Sequence, residues 1–184
     1  MKRRDFSLGA LGCVGLGALA MESDSVYQLG IDLTDQSGTV KRLEAWRGQP
    51  VLVTMFYTSC QMACPMLIEA IRANEAALTP SQRERIKVLM VSFDDQHDTV
   101  EVLRNTAQQR DLPSPHWTLA RSDERSIRRL AAVLGIRYRK TADGEFNHSS
   151  MVLLLDAEGR MAGRTLRLSS ADPSLVQRIK SLTG

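Results

Sequence analysis

Three short, predominantly apolar runs punctuate the chain: Val51 to Tyr57, Ile86 to Phe93, and Ser150 to Asp156. Each is set among polar residues, which predicts strands buried on both faces. Between and after them the apolar residues switch to helical spacing. From Pro65 onward, Leu67, Ile68, Ile71 and Leu78 recur on one side while Glu69, Arg72 and Glu75 face away. Pro65 is expected at the first helical position, where its missing N–H costs nothing. Thr99 to Arg110 reads as a second helix, and Asp123 to Leu134 as a third that Gly135 stops. Trp117-Thr118-Leu119 is a short strand between them. Asp156-Ala157-Glu158-Gly159 is a turn, and Met161 to Leu168 returns as a hairpin partner. Asp172-Pro173 opens a last helix whose apolar side carries Leu175, Val176, Ile179 and Leu182. Ahead of all this, short runs at Ile31-Asp32-Leu33 and Val40-Lys41-Arg42-Leu43 flank Asp35-Gln36-Ser37-Gly38, a β-hairpin pattern.

Strands alternating with helices imply an α/β sheet with covered faces. Strand, helix and strand, followed by a hairpin and a C-terminal helix, is the order of a thioredoxin-like fold, here with an N-terminal β-hairpin extension. No internal repeat or long linker interrupts it, and 184 residues suit one domain with a sizeable core, expected over residues 21–184. Such a fold fixes no activity.

Residues 1–20 read differently. Lys2-Arg3-Arg4 precedes an uncharged stretch from Phe6 to Ala20, too short for a membrane span of about 20 residues. The basic start and Ala18-Leu19-Ala20 match an export signal with its cleavage site, and Arg3-Arg4-x-Phe6 looks like a twin-arginine signal. The protein is therefore expected in the periplasm or another extracytoplasmic space, cleaved or held by an N-terminal anchor. Cleavage after Ala20 removes Lys2, Arg3, Arg4 and Asp5, a net +2 of the chain's +3, and leaves +1. That small charge gives no case for nucleic acid. Cleavage also removes Cys13, which lies in Ala10-Leu11-Gly12-Cys13, a string close to a lipoprotein acceptor site.

Two cysteines then remain, in Cys60-Gln61-Met62-Ala63-Cys64-Pro65, between a buried strand and a helix start. Ligands meet α/β sheets at such places. Cys64 is expected near the N-cap, where unpaired N–H groups and the helix dipole favour thiolate and lower the pKa. Thiolate both binds metal and attacks disulfides, so placement leaves the two chemistries open. The three-residue spacer is wider than the C-x-x-C of redox enzymes. Two sulfurs make a poor zinc site but suit Cu(I), and an added imidazole makes the site tolerable for Cu(II). Of the three histidines, His97 and His116 read as ordinary surface or core residues. His148 stands before the third buried strand, whose entrance should lie beside the cysteine loop.

Thr58-Ser59-Cys60-Gln61-Met62-Ala63-Cys64-Pro65, Val91-Ser92-Phe93-Asp94 with Asp98-Thr99 following, and His148-Ser149 before Val152-Leu153-Leu154-Leu155-Asp156 together resemble the Sco/SenC family, over roughly residues 27 to 182. The resemblance implies a copper-binding assembly factor, or metallochaperone, that serves the CuA site of cytochrome c oxidase subunit II or another copper-accepting exported protein. It implies Cu(I) or Cu(II) held by Cys60, Cys64 and His148, with Asp94 as a supporting residue. Tyr138 to Asn147, a polar segment with Asp143-Gly144, corresponds to a mobile family loop that brings the histidine in. The spacer Gln61-Met62-Ala63 departs from the family, which commonly has Pro and Asp there, and Asp95 stands where a Pro is common. Met62 and Met66 flank the cysteines and offer soft thioethers, although methionine more often fills core gaps. The same pair supports an enzymatic alternative: a thiol–disulfide oxidoreductase that keeps the CuA-site cysteines or other exported thiols reduced, with Cys60 and Cys64 as its catalytic residues. Peroxidase activity would leave the cysteine pairing and His148 unexplained.

Overall fold

The computed structural model describes residues 25–60, 62–142 and 144–184; the export-signal reading of residues 1–20 and the Cys13 acceptor site lie outside these. Strands β1 (Asp32–Asp35) and β2 (Val40–Arg42) form the N-terminal hairpin. Its turn closes on one carboxylate: Asp35 Oδ1 accepts from the N–H of Ser37 at 2.9 Å and of Thr39 at 3.0 Å. Strand β3 (Val51–Phe56) leads to helix α1 (Ala63–Ala76), a short helix α2 (Pro80–Glu84) and strand β4 (Lys87–Ser92). Helix α3 (Val100–Gln109) then connects to β5 (Trp117–Arg121), and α4 (Glu124–Leu134) follows. Strands β6 (Tyr138–Lys140) and β7 (Phe146–His148) pair as a separate hairpin. Strands β8 (Val152–Leu155) and β9 (Met161–Thr165) and helix α5 (Pro173–Thr183) complete the order.

The main sheet runs β2-β1-β5-β4-β3-β8-β9. Its centre, β3, β4 and β5, is parallel, and the flanking strands are antiparallel. Parallel neighbours need crossover connections, which α1 with α2 and α3 supply. Burial of both faces explains the apolar runs. On β3, Val51, Val53 and Met55 join the layer containing Ile127, Leu130 and Leu134 of α4. Leu52 and Phe56 point to the other layer, against Leu67, Ile68 and Ile71 of α1 and Leu175 and Ile179 of α5. The side-chain period of 2 along a strand sorts these residues.

Helix boundaries follow side-chain caps. Thr99, Asp123 and Asp172 each accept backbone N–H groups at the starts of α3, α4 and α5, and Gly135 ends α4 with φ 69°. Helix α2 is an addition to the sequence reading; a reciprocal Thr79–Gln82 capping box with Pro80 at its first turn starts it. Asp172 is the most heavily used cap. Its Oδ1 accepts from Ser174 N–H at 2.9 Å, its Oδ2 from Thr165 Oγ1 at 2.7 Å, and its own N–H reaches Asn74 Oδ1 at 3.0 Å. Asp172→Ala is expected to cost about 1–2 kcal/mol in urea denaturation. The Thr165 hydroxyl and the helix N–H groups hold the Asp172 carboxyl below its ordinary value. The sign is therefore that of a depressed acid: the contribution is present above the unfolded-state pKa and is lost as pH falls through the folded one. The wild-type advantage over Asp172→Ala should shrink at acidic pH.

Two local expectations are corrected. Helix α1 begins at Ala63, so Pro65 is its third residue, Cys64 its second, and Met62 the N-cap. The first four N–H groups of a helix have no intrahelical acceptor, so proline is tolerated throughout that turn. The segment read as a loop, 138–147, is folded into the β6–β7 hairpin, with Tyr138 opposite His148 and Lys140 opposite Phe146. Its polar residues alternate with Tyr138, Phe146 and His148, and one side of that alternation packs inward.

Candidate metal centre

Strand β3 ends at Phe56, and the chain then turns through Tyr57, Thr58, Ser59 and Cys60 before α1 begins. One buried carboxylate fixes this turn. Asp98, 1% exposed, accepts from the Thr58 N–H at 3.0 Å, from the Thr58 hydroxyl, and from the hydroxyl of Ser92 at the end of β4. Burial pushes the Asp98 carboxyl above its ordinary value even against these donors. The Asp98-Thr99 pair was visible in the sequence, but nothing there showed that Asp98 would anchor the cysteine loop.

Cys60 and Cys64 are brought together at this turn and are not joined in a disulfide. Their environments differ. Cys64 is 6% exposed and its Sγ donates to the Tyr57 carbonyl at 2.9 Å. Burial pushes its thiol well above the ordinary range, and the neighbouring Cys60 adds to the rise. This reverses the expected lowering: beside a helix N-terminus, desolvation of the charged form outweighs the dipole. Cys60 is half-buried, packs against both apolar layers and shares a hydrogen bond with the Tyr57 hydroxyl. Limiting iodoacetamide on the reduced protein should therefore alkylate Cys60 well before Cys64, as read by peptide mass spectrometry.

Tyr57 links the cysteine turn to the β6–β7 hairpin. Its hydroxyl donates to Glu145 Oε2 at 2.7 Å. Its ring centroid lies 5.1 Å from Phe146, 5.3 Å from Phe93 and, edge-on, 5.8 Å from His148. Phe93 also packs 5.0 Å from the His148 ring and stacks on Tyr138 at 5.1 Å. Burial among these rings lowers the His148 pKa, so the imidazole stays neutral, and able to ligate, further into the acid range. The entrance of β8 is where the sequence placed it: Thr54 Oγ1 donates to Met151 O at 2.8 Å, joining it to the end of β3.

Tyr57 thus stands between the cysteine turn and His148, with the imidazole edge-on to its ring. Among the described residues, no three His, Cys, Asp or Glu side chains stand close enough together to hold a metal ion. Asp94 is buried, but its carboxylate takes His97 Nδ1 at 2.8 Å. His116 Nε2 meets Glu75 Oε1 at 2.5 Å, at the C-terminal end of α1. Met62 and Met66 both lie on the surface. Sequence reading missed the aromatic group, although Tyr57, Phe93, Tyr138 and Phe146 are all of the chain's tyrosines and phenylalanines except Tyr27, Phe6 and Phe56. That concentration was the available signal.

A central parallel sheet with antiparallel edges and a reduced cysteine pair at a strand-to-helix turn define a thioredoxin-like protein with thiols at the ligand-binding end of its sheet. The SCO1/SenC family model matches residues 22–184, and the chain belongs to that family. No curated protein sequence matches the chain significantly. Among solved structures, a proposed electron transfer protein from Aquifex aeolicus VF5 superposes with a TM-score of 0.76 at 20% identity, covering 88% of this chain and 94% of that one. Bradyrhizobium japonicum ScoI, solved with copper bound, gives 0.67 at 23%, covering 83% and 96%. BsSco, a member of the Sco family of cytochrome c oxidase assembly proteins in which a disulfide switch was identified, gives 0.66 at 17%, covering 83% and 90%. At these identities the likeness shows the fold. No helix among the described residues is long and apolar enough to cross a membrane.

Proposed function

We propose that this chain is an extracytoplasmic metallochaperone that carries one copper ion on Cys60, Cys64 and His148 and hands it to the CuA site of cytochrome c oxidase subunit II. The observation that carries the reading is the Cys60–Cys64 pair at the start of α1, with a neutral imidazole on the hairpin beyond Tyr57. Copper on ScoI of B. japonicum and the oxidase-assembly role of the BsSco family support it. The donor set is soft: two sulfurs and an imidazole favour copper over magnesium or calcium. The buried carboxylates nearby, Asp94 and Asp98, are engaged by His97 and by Thr58 and Ser92, so hard ligands are kept out of the set. Delivery needs no turnover, only exchange of sulfur ligands between this site and that of the acceptor. Residues 1–20 would act as the export signal and 21–184 as the mature domain.

The test is anaerobic Cu(I) titration of the reduced protein against a chromogenic chelator. The wild type is expected to hold one equivalent against the chelator, and Cys60→Ser/Cys64→Ser to yield its copper to the chelator; equal retention by both would overturn the assignment.

A second reading is favoured by the unequal exposure of the two thiols. Half-buried Cys60 is suited to attack and buried Cys64 to resolve. In that role the pair is oxidised to a disulfide while the disulfide of a CuA-site segment is reduced to two thiols. Exchange of the reduced protein with an oxidised CuA-site peptide tests it, and failure to exchange removes it.

A further inference from the structure

Two methionines stand exposed beside the buried Cys64. Met62 is 78% and Met66 41% exposed, against 6% for Cys64. Methionine ordinarily fills gaps in cores, and Met55 and Met90 do so here, each at 0% exposure. Met62 and Met66 pack no core, and leaving large apolar side chains in water forgoes the free energy of burying them. Neither side chain fills a gap in the core.

Their placement is specific. Met62 is the N-cap of α1 with near-helical backbone, φ −112° and ψ −61°, and Met66 follows four residues later in the first turn. Side chains at that spacing share one helix face, with Cβ atoms about 5–6 Å apart, a span two flexible thioethers can close around one ion. They bracket Cys64 in the chain, and no charged residue occurs from Ser59 to Ile68. A thioether has no proton to lose, ligates at any pH, and selects soft monovalent ions. Cys64 is less accessible, 6% exposed with its Sγ turned to the Tyr57 carbonyl at 2.9 Å.

We propose that Met62 and Met66 form an entry site for Cu(I), from which the ion passes to Cys60 and Cys64. This rests on the copper reading above. The ion keeps its oxidation state throughout. Copper–thioether bonds break as two copper–thiolate bonds form, and the two thiol protons pass to water. The pair thus captures the ion at the surface, ahead of the buried Cys64.

The experiment uses methyl-labelled methionine in the full chain and Ag(I), a redox-inert monovalent probe. In Cys60→Ser/Cys64→Ser, the methyl signals of Met62 and Met66 should shift together and saturate with Ag(I), while Met161, 46% exposed on β9, stays still as an internal control. Signals of Met62 and Met66 that move no more than that of Met161 would overturn the proposal and leave the copper reading standing; an exposed pair that serves only partner docking gives this result. In a second arm the cysteines are kept and Met62→Leu/Met66→Leu is loaded with Cu(I). Leucine matches methionine in helix propensity and volume, so folding should hold. The final stoichiometry should equal wild type and uptake should be slower; equal uptake rates would overturn the proposal. Absence of Cu(I) binding by the wild type would remove the copper reading and this inference with it.

Discussion

Replacing Asp98 with alanine should destabilise the protein by about 2–5 kcal/mol, which would make it one of the most damaging single changes in the chain. The carboxylate serves three donors: the N–H and hydroxyl of Thr58 and the hydroxyl of Ser92. Alanine leaves all three without that acceptor in a place sealed from water, and each buried orphan costs about 1–3 kcal/mol, with incomplete additivity. The loss falls on the turn that presents Cys60, so copper binding should weaken along with stability. Asp98→Asn separates the contributions, because its amide oxygen still accepts while the charge is gone. Burial raises the Asp98 pKa in the folded state. Its contribution to stability is therefore fully present below the unfolded-state pKa and declines as pH rises through the folded one. Urea denaturation across pH should show this decline in the wild type and its absence in Asp98→Asn.

The second large effect is expected at Tyr57. Tyr57→Ala removes a ring that is 4% exposed and touches Phe93, Phe146 and His148, together with a hydroxyl bonded to Glu145. Aromatic-to-alanine changes in cores cost about 3–5 kcal/mol. Tyr57→Phe keeps the ring and loses the Glu145 bond, and should cost only about 1 kcal/mol. The two variants also divide the functional consequence. The β6–β7 hairpin belongs to its own two-stranded sheet, so its hold on the main sheet near Tyr57 is made by rings and one hydroxyl. Hydrogen exchange at Phe146 to His148 should accelerate strongly in Tyr57→Ala and modestly in Tyr57→Phe.

Much of this architecture was readable before any coordinates. The central strands announce themselves because both faces are covered, which leaves runs such as Val88 to Val91 with no polar interruption. The helix starts at Thr99, Asp123 and Asp172 were readable because capping is a local property of one side chain and the two or three N–H groups after it. The β6–β7 hairpin was not, because its strands are three residues each and its stabilising partners, Tyr57 and Phe93, come just after strands distant in sequence. The Cys64 thiol was misjudged for a related reason. Proximity to a helix start can be read from sequence, whereas burial under a neighbouring loop cannot, and here burial wins. Asp98 shows the same limit: an aspartate before a helix reads as a surface cap until the fold brings Thr58 and Ser92 to it. Cys60, Cys64 and His148 were named from sequence, and the fold sets the two thiols together with the imidazole across one aromatic ring from them.

The central claim, one copper ion shared by two thiolates and an imidazole, is tested most directly by Cu(II) titration of the reduced protein with sulfur-to-copper absorption as the readout. One equivalent with strong charge-transfer absorption is predicted for the wild type, with weaker binding and an altered spectrum for His148→Ala. Affinity and absorption unchanged by His148→Ala would contradict it.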